Sequence, residues 1–388
     1  MIWFVLTFMC LYGAMHALVY WGIKPLLSGK RYLPMTSRVW MGMMVVAPVA
    51  VRLLDRHGYP EVARYLAWIS YSWMGLAFLA FSMLLPLLCW DLFAFTLHSF
   101  KPTLPRLTVR SPTCAIIIVV CTLGMGMYGF YEAAYMRVER IILMSNKLPP
   151  GTPPIRLAQV SDLHLGLIHR EKALAPVITI LQRLQPDLLV VTGDMVDAQI
   201  DHLNGLSDMW RSIDPPLGKF AVTGNHEVYA GLQTSLDFLQ RSGFTLLRNK
   251  AVPIGDLLLL AGVDDPAAGH GRDAYLPLIG QEAKRFKILL KHRPVVTPEH
   301  IGLFDLQLSG HAHRGQIFPF NLLTHLAYPM QNGLYQLPGG GVLYASRGTG
   351  SWGPPMRIGA PPEITVFELI PSERETVSET TIPPVLEP

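Results

Sequence analysis

The sequence predicts two parts of different class: an N-terminal α-helical transmembrane bundle and an α/β domain after it. Three observations predict this. Only 15% of the 388 residues are charged, against about 25% in ordinary soluble domains, and the mean hydropathy is +0.31. The deficit is concentrated in the first third of the chain, which holds three long uncharged runs. Beyond residue 146, short apolar runs ending in Gly, Asp, Asn or His alternate with helical patterns, the strand–loop–helix texture of an α/β sheet.

The uncharged runs are Met1 to Ile23, Tyr65 to Trp90 and Thr113 to Tyr131. Each is long enough, or nearly so, to cross about 30 Å of hydrocarbon at about 1.5 Å per residue. Val39 to Val51 is shorter and spans only if Arg38 and Arg52 snorkel to the interfaces. Three or four transmembrane helices follow, with four preferred. A signal peptide is disfavoured for the first run, which lacks a basic start and is followed by further apolar segments. Soluble bundle helices would carry a polar face, and these carry none.

The expected boundaries are a transmembrane region over residues 1–147, a catalytic domain over 148–372 and a flexible tail over 373–388. The first boundary follows the helix-breaking run Leu148-Pro149-Pro150-Gly151-Thr152-Pro153-Pro154, read as a stiff linker. Lys24, Lys30, Arg31, Arg38, Lys101, Arg106 and Arg110 lie in the first and third loops, seven basic residues against six in the second loop and after the last span. By the positive-inside rule that margin favours a multi-pass cell-membrane protein with an extracytoplasmic catalytic domain.

Two classes of function are excluded early. The formal charge of +4 is too small to indicate nucleic acid, so the expected partner is the lipid bilayer and not DNA or RNA. Cys10, Cys89, Cys114 and Cys121 lie in the apolar third without C-x-x-C spacing, so they form no zinc site or disulfide framework and act as small hydrophobes.

The chemistry sits at the strand ends. Ile155 to Val160 runs into Ser161-Asp162-Leu163-His164, Leu188 to Val191 into Thr192-Gly193-Asp194, and Phe220 to Val222 into Thr223-Gly224-Asn225-His226-Glu227. Phe286 to Leu290 runs into Lys291-His292, and Leu306 to Leu308 into Ser309-Gly310-His311-Ala312-His313. Ligands of open α/β sheets gather at the carboxyl ends of strands, so these groups should converge. Carboxylate, amide and imidazole donors without thiolate suit Mn²⁺, Fe²⁺ or Zn²⁺. They are too many for one tetrahedral ion and fit a pair about 3.5–4 Å apart, the arrangement used for attack on phosphorus esters. His16, His57, His98, His202, His270, His300 and His325 receive no role, and His169 is read as a surface residue.

In order and wording these motifs resemble the calcineurin-like metallophosphoesterase superfamily: D-x-H, G-D, G-N-H-[DE], a later His, then G-H-x-H. The resemblance covers about residues 154 to 370. It is most similar to the membrane-anchored bacterial branch of YkuE/YaeI-like phosphoesterases, on Ser346-Arg347-Gly348-Thr349-Gly350 and Pro361-Pro362-Glu363-Ile364-Thr365. It implies a four-layer α/β/β/α sandwich and a metal-dependent phosphoric ester hydrolase with two divalent ions. Asp162, His164, Asp194 and His313 would hold the first ion. Asp194, Asn225, His292 and His311 would hold the second, with Asp194 as the bridge. The implied mechanism is direct attack by a metal-bridging hydroxide without a covalent enzyme intermediate, since no Ser or Cys is placed as a nucleophile beside a base. His226 would act at the leaving group as general acid or as a cationic stabiliser. Glu227 or Asp197 would orient it or a ligand, or serve a structural role. Ala312 and Arg314 depart from the commoner Thr and Gly of the last motif. Arg314 either clamps a substrate phosphate or sits in solvent.

Nothing in the sequence fixes the substrate. The membrane tether and the apolar segment Ile317 to Leu337 favour a lipid-linked phosphate or pyrophosphate ester. That segment reads equally as an active-site rim and as core beneath its own domain. Two other classes stay open. One is a membrane sensor or scaffold with reduced turnover, opposed by the complete donor set. The other is a nuclease, opposed by the lack of a basic run or aromatic ladder.

Overall fold

A computed structural model describes residues 2–103, 110–197, 203, 205–269, 284–372 and 376–381. The chain forms two compact units, Met1–Tyr131 with Gly353–Met356, and Glu132–Trp352 with Arg357–Pro388.

The N-terminal part consists of α1 (Ile2–Leu27), α2 (Leu33–Arg56), α3 (Pro60–Phe100) and α4 (Pro112–Ala134). All four are long and apolar enough to cross a membrane. The short run at Val39 to Val51 is thus part of a 24-residue helix with a proline in its first turn, where the missing N–H costs no intrahelical bond. Val19, Met41, Ala80, Leu84 and Ile118 form a small core. Leu11, Val46, Ile69, Val120 and Leu123 point outward, as side chains facing lipid do. His16, left without a role by the sequence, is satisfied within this unit: its Nδ1 lies 2.8 Å from the Tyr12 carbonyl, and Trp73 Nε1 donates to its Nε2 at 2.9 Å.

The second unit is built on two sheets. The first contains β1 (Arg137–Ser145), β2 (Ile155–Val160), β3 (Leu188–Val191), β4 (Lys219–Ala221), β5 (Thr245–Leu246), β12 (Glu363–Pro371) and β13 (Thr376–Thr381) in the order β13-β1-β12-β2-β3-β4-β5. The second contains β6 (Lys250–Ile254), β7 (Leu258–Gly262), β8 (Phe286–Leu290), β9 (Leu306–Ser309), β10 (Gly333–Gln336) and β11 (Val342–Ala345) in the order β10-β11-β9-β8-β7-β6.

Strand side chains alternate between faces with period two. Leu157, Leu188 and Val190 of the first sheet meet Leu260, Ile288, Leu308 and Tyr344 of the second in one buried core. Ala158, Leu189 and Val191 face the other way, onto α5 (Glu171–Leu184), α6 (Leu206–Arg211) and α7 (Asn225–Arg241). In α5 the buried residues Leu174, Val177, Ile178 and Leu181 trace the helical stripe that this packing needs. The outer face of the second sheet, Leu259, Ala261, Val263 and Leu289, is covered by Phe304 with Val296 and Leu303. The first three layers follow the expected α/β/β order. Among the described residues the fourth layer is a loop with a 3₁₀ turn at Pro298–His300.

Two expected boundaries differ from the structure. Residues 137–145, assigned by sequence to the transmembrane region, form β1, which pairs in parallel with β12 from Arg137↔Glu363 to Ser145↔Pro371. The proline-rich run after it joins two strands of one sheet, and its Leu148 is part of the buried core. The proline signal marks a sharp reversal and not an interdomain linker. At the other end, Thr376–Thr381 pairs antiparallel with β1, so part of the expected tail is strand. The rest of 373–388 lies outside the described residues.

Candidate metal centre

Parallel pairing of β2 with β3 and of β3 with β4 brings three motif loops to one end of the first sheet. Parallel pairing of β8 with β9 does the same for His292 and the His311–His313 motif in the second. The two ends meet. His311 N donates to both Asp162 carboxylate oxygens at 2.9 and 3.1 Å, and His226 N donates to Asp194 Oδ1 at 2.8 Å.

This closeness explains the motif glycines. A Cβ at Gly310 would fall on Ser161 Oγ and Asp162 Oδ2, and one at Gly224 on Asp194 Oδ1. The donors themselves sit on unusual backbone. Asp162, His164, Asp194, His311 and His313 have φ of 53°, 52°, 51°, 69° and 48°. This left-handed region is unfavourable for residues with a Cβ, and such strain persists where surrounding structure enforces it, commonly at functional sites.

Three groups of donors converge, each with its ligand atoms within 4.8 Å of one another: Asp162, His164 and His313; Asp194, His292 and His311; and His164, Asp194 and His226. The first two reproduce most of the two expected ligand sets. Asn225 begins α7 beside them, 6% exposed, and its Oδ1 is buried without a hydrogen-bond partner among the described residues. The third group shows that His226, expected to stand apart from the ligands, approaches them to within ligand reach.

The donor chemistry fits cations. His164 Nε2 lies 3.1 Å from His313 Nε2, and His292 Nε2 lies 3.1 Å from His311 Nδ1. Around them stand Asp162 Oδ1, 3.3 Å from His313 Nε2, and Asp194 Oδ2, 3.2 Å from His292 Nε2. Imidazole nitrogens this close to one another among buried carboxylates either share a proton or flank a cation. The proton equilibria show the same demand. Burial opposes charge on His292, yet Asp194 and its hydrogen bond push it up to about 10. Burial also opposes ionisation of Asp162, but the neighbouring His313 and His292 hold its carboxyl below the usual carboxylate range. His164 and His311 fall to about 3, through burial first and the adjacent His226 and His292 second. Burial thus favours the neutral form of those two rings, the form that ligates a metal.

The surroundings divide the work left open between Glu227 and Asp197. Asp197 Oδ1 lies 3.0 Å from His226 Nδ1, which leaves Nε2 of that ring for chemistry. Glu227, fully buried, accepts from the backbone N–H groups of Gly224, Asp194, Met195 and Val196 at 2.7 to 3.3 Å. It therefore fixes the loop that presents Asp194. Burial and the nearby Asp194 push its carboxyl up to about 7, against the backbone donors that favour the charged form.

Several residues here were not singled out by the sequence. Tyr328 places its hydroxyl 2.9 Å from His311 Nε2. Arg357, fully buried, donates to the carbonyls of Arg347, Ala360 and Gly350, and its Nη2 lies 3.2 Å from His313 Nδ1. Burial lowers that guanidinium to about 10. Trp352 and Tyr229 set their rings 5.6 and 5.5 Å from His226. Arg357 lies two residues after Pro354-Pro355 and Tyr328 directly precedes Pro329, a weak signal for rigid turns that carries no chemistry. His169 corrects its reading as a surface residue: Nε2 is buried, and burial lowers its pKa. Arg314 is half-buried, with φ of 50° one residue past His313.

Residues 155–315 match the calcineurin-like phosphoesterase family. An uncharacterized metallophosphoesterase of Aquifex aeolicus is 41% identical over 251 residues, covering 63% of this chain and 96% of that protein. A transmembrane protein with metallophosphoesterase domain from Danio rerio is 29% identical over 318 residues, 78% of this chain and 73% of that one. The uncharacterized metallophosphoesterase YkuE of Bacillus subtilis is 31% identical over 259 residues, 63% of this chain and 90% of that one.

Proposed function

Because this chain belongs to the calcineurin-like phosphoesterase family and is a metal-dependent phosphoric ester hydrolase, we propose that it hydrolyses a lipid-linked phosphoester or pyrophosphate while anchored in a membrane by four passes. The observation that carries the reading is the convergence of Asp162, Asp194 and His311 with their neighbours in two adjoining clusters. Asp162, His164, Asp194 and His313 would hold one divalent ion, and Asp194, Asn225, His292 and His311 the other. Such ions supply Lewis acidity toward phosphoryl oxygens and acidify water near neutral pH.

The chain's own residues do the rest. Glu227 holds the Asp194 loop through four backbone N–H groups. Asp197 orients His226, and Asp197 with Asp194 favours its protonated form against the opposing effect of burial. His226 Nε2 then delivers a proton to the departing oxygen. Arg314 binds a phosphate oxygen through its planar guanidinium. In this reading the membrane region extends to Ala134, the catalytic domain runs from Arg137 to at least Thr381, and the basic-residue balance puts that domain outside the cytoplasm.

The test uses detergent-solubilised full-length protein stripped with chelator and reloaded with Mn²⁺, Fe²⁺ or Zn²⁺. It is offered bis(p-nitrophenyl) phosphate and membrane lipid extracts, with released head groups followed by mass spectrometry. Metal-dependent release from lipid is expected. Cleavage of the soluble diester with no lipid product would overturn the lipid-linked substrate. No cleavage of either with any ion would overturn the catalytic assignment of the site.

A further inference from the structure

Between His313 and Tyr328 the chain leaves the donor cluster and returns to it. The excursion contains Phe318, Phe320 and the short helix α8 (Asn321–Ala327). This helix is inverted relative to an ordinary surface helix, whose apolar side faces the core. Its Asn321 and Thr324 face inward while His325 is exposed: Thr324 donates to Gln331 at 2.7 Å, and the buried Gln331 donates to the Asn321 carbonyl at 3.2 Å. Its leucines turn outward. Phe318, Phe320, Leu322, Leu323 and Leu326 are 43–79% exposed. Trp352, 53% exposed, continues the patch, because both its backbone groups bond the side chain of Gln316 at 2.9 Å. The reading of Ile317 to Leu337 as buried core fails for this stretch.

Two further facts identify what covers this surface. No acidic residue occurs from His311 to Pro362, so nothing on that segment repels anionic head groups. The chain also enters the catalytic unit at the same end of the sheet. Arg137 N donates to Pro362 O at 2.8 Å, Glu363 N to Gly348 O at 3.0 Å, and Thr349 N to the carbonyl of Ser161 beside Asp162 at 2.7 Å. The first residue of β1 thus lies at the donor end. Only Tyr135 and Met136 separate it from α4, a helix apolar enough to cross a membrane, and the three Cα–Cα steps from Ala134 to Arg137 reach roughly 10 Å at full extension. The catalytic unit is therefore tethered at its donor end, through a short connection, to a helix apolar enough to cross a membrane.

We propose that Phe318, Phe320, Leu322, Leu323, Leu326 and Trp352 form a docking rim that inserts into the head-group region of the bilayer beside the donor site. The inference goes beyond the phosphoesterase reading and does not require turnover.

The test places an environment-sensitive fluorophore at Leu326→Cys in the full-length chain, with the four native cysteines replaced by alanine, reconstituted in phosphatidylcholine–phosphatidylglycerol nanodiscs. A second reporter at Leu323→Cys guards against a local defect, and Gln240→Cys, exposed at the far end of α7, is the control. Acyl-brominated lipid is expected to quench both rim reporters at least two-fold and to leave position 240 unchanged. Rim emission typical of water would overturn the proposal. So would blue-shifted emission that brominated lipid fails to quench, which would assign the patch to a protein surface such as a second copy of the chain. Loss of bis(p-nitrophenyl) phosphate hydrolysis in the same nanodiscs, with quenching intact, would count against the catalytic assignment alone and leave the rim supported.

Discussion

The two donor clusters contain the same residue types but differ in what stands behind the imidazoles. In the Asp194, His292 and His311 group, His292 Nδ1 lies 2.8 Å from the Thr192 carbonyl and His311 Nε2 lies 2.9 Å from the Tyr328 hydroxyl. The carbonyl fixes the His292 tautomer that leaves Nε2 free to ligate, and the hydroxyl can accept from His311 in the same way. In the Asp162, His164 and His313 group, the partner behind His313 is the guanidinium of Arg357, which can only donate. His164 Nδ1 is buried without a hydrogen-bond partner among the described residues. Donor identity thus makes both clusters possible metal sites, while their backing makes them unequal. The Asp194 cluster should fill first and the Asp162 cluster second: the Arg293 guanidinium beside Tyr328 is paired with Asp265, whereas the buried Arg357 has no carboxylate partner among the described residues and opposes a second cation in front of His313.

The largest expected effect comes from Asp194, the residue proposed to bridge the two clusters. Asp194→Ala should abolish metal retention in both, measured as metal per chain by mass spectrometry after gel filtration, and lower turnover by more than about 10³-fold, since both modes of metal assistance fail together. Retention of one ion would show that the clusters are independent and that Asp194 is no bridge. His226→Ala comes next. Turnover should fall about 10²-fold or more, as for loss of a general acid, with metal content unchanged. Metal loss matching that of Asp194→Ala would make His226 a third ligand, the alternative that its approach to His164 and Asp194 leaves open.

How much of this could be read from the sequence follows from where the information lies. The donors were legible because each closes an apolar strand and its chemistry is visible within four or five residues, as in Gly224-Asn225-His226-Glu227. Their convergence follows from a general property of parallel sheets. The backing residues were not legible. Tyr328 reaches His311 across 17 positions and Arg357 reaches His313 across 44, and nothing local to either sequence announces that closure. β1 was missed for a different reason. Arg137–Ser145 follows an apolar helix directly, and its alternation, buried at Val138, Ile141 and Leu143, is too short to outweigh the proline-rich run that looks like a boundary. The outward leucines of α8 were seen as an apolar segment, but composition cannot tell which way a helix faces.

Arg357→Met probes the less favourable cluster. Removing the guanidinium leaves the carbonyls of Arg347, Gly350 and Ala360 without that donor, at about 1–3 kcal/mol for each buried group left unsatisfied. The thermal unfolding midpoint in detergent should drop by several degrees. In the protein that remains folded, the second metal-binding step should tighten, because the opposing charge is gone. An unchanged second step with lowered stability would reduce Arg357 to a loop-bracing role and remove half of the asymmetry.

The smallest effect tests the other half. Tyr328→Phe removes one hydroxyl and keeps the ring that stacks edge-on against His311 at 4.9 Å, so the fold and the rim should be untouched. Loss of an outer partner of a ligating imidazole typically weakens metal binding by about 10–100-fold, and the expected change lies near the lower end because His292 keeps its own carbonyl. Isothermal titration of chelator-stripped protein with Mn²⁺ should show the first step weakened toward the second. If the variant weakens the second step alone, the order of filling deduced from Thr192, Tyr328 and Arg357 is reversed. The cation behind His313 would then have to be read as charge compensation for a more acidic ligand, and not as an obstacle to the ion.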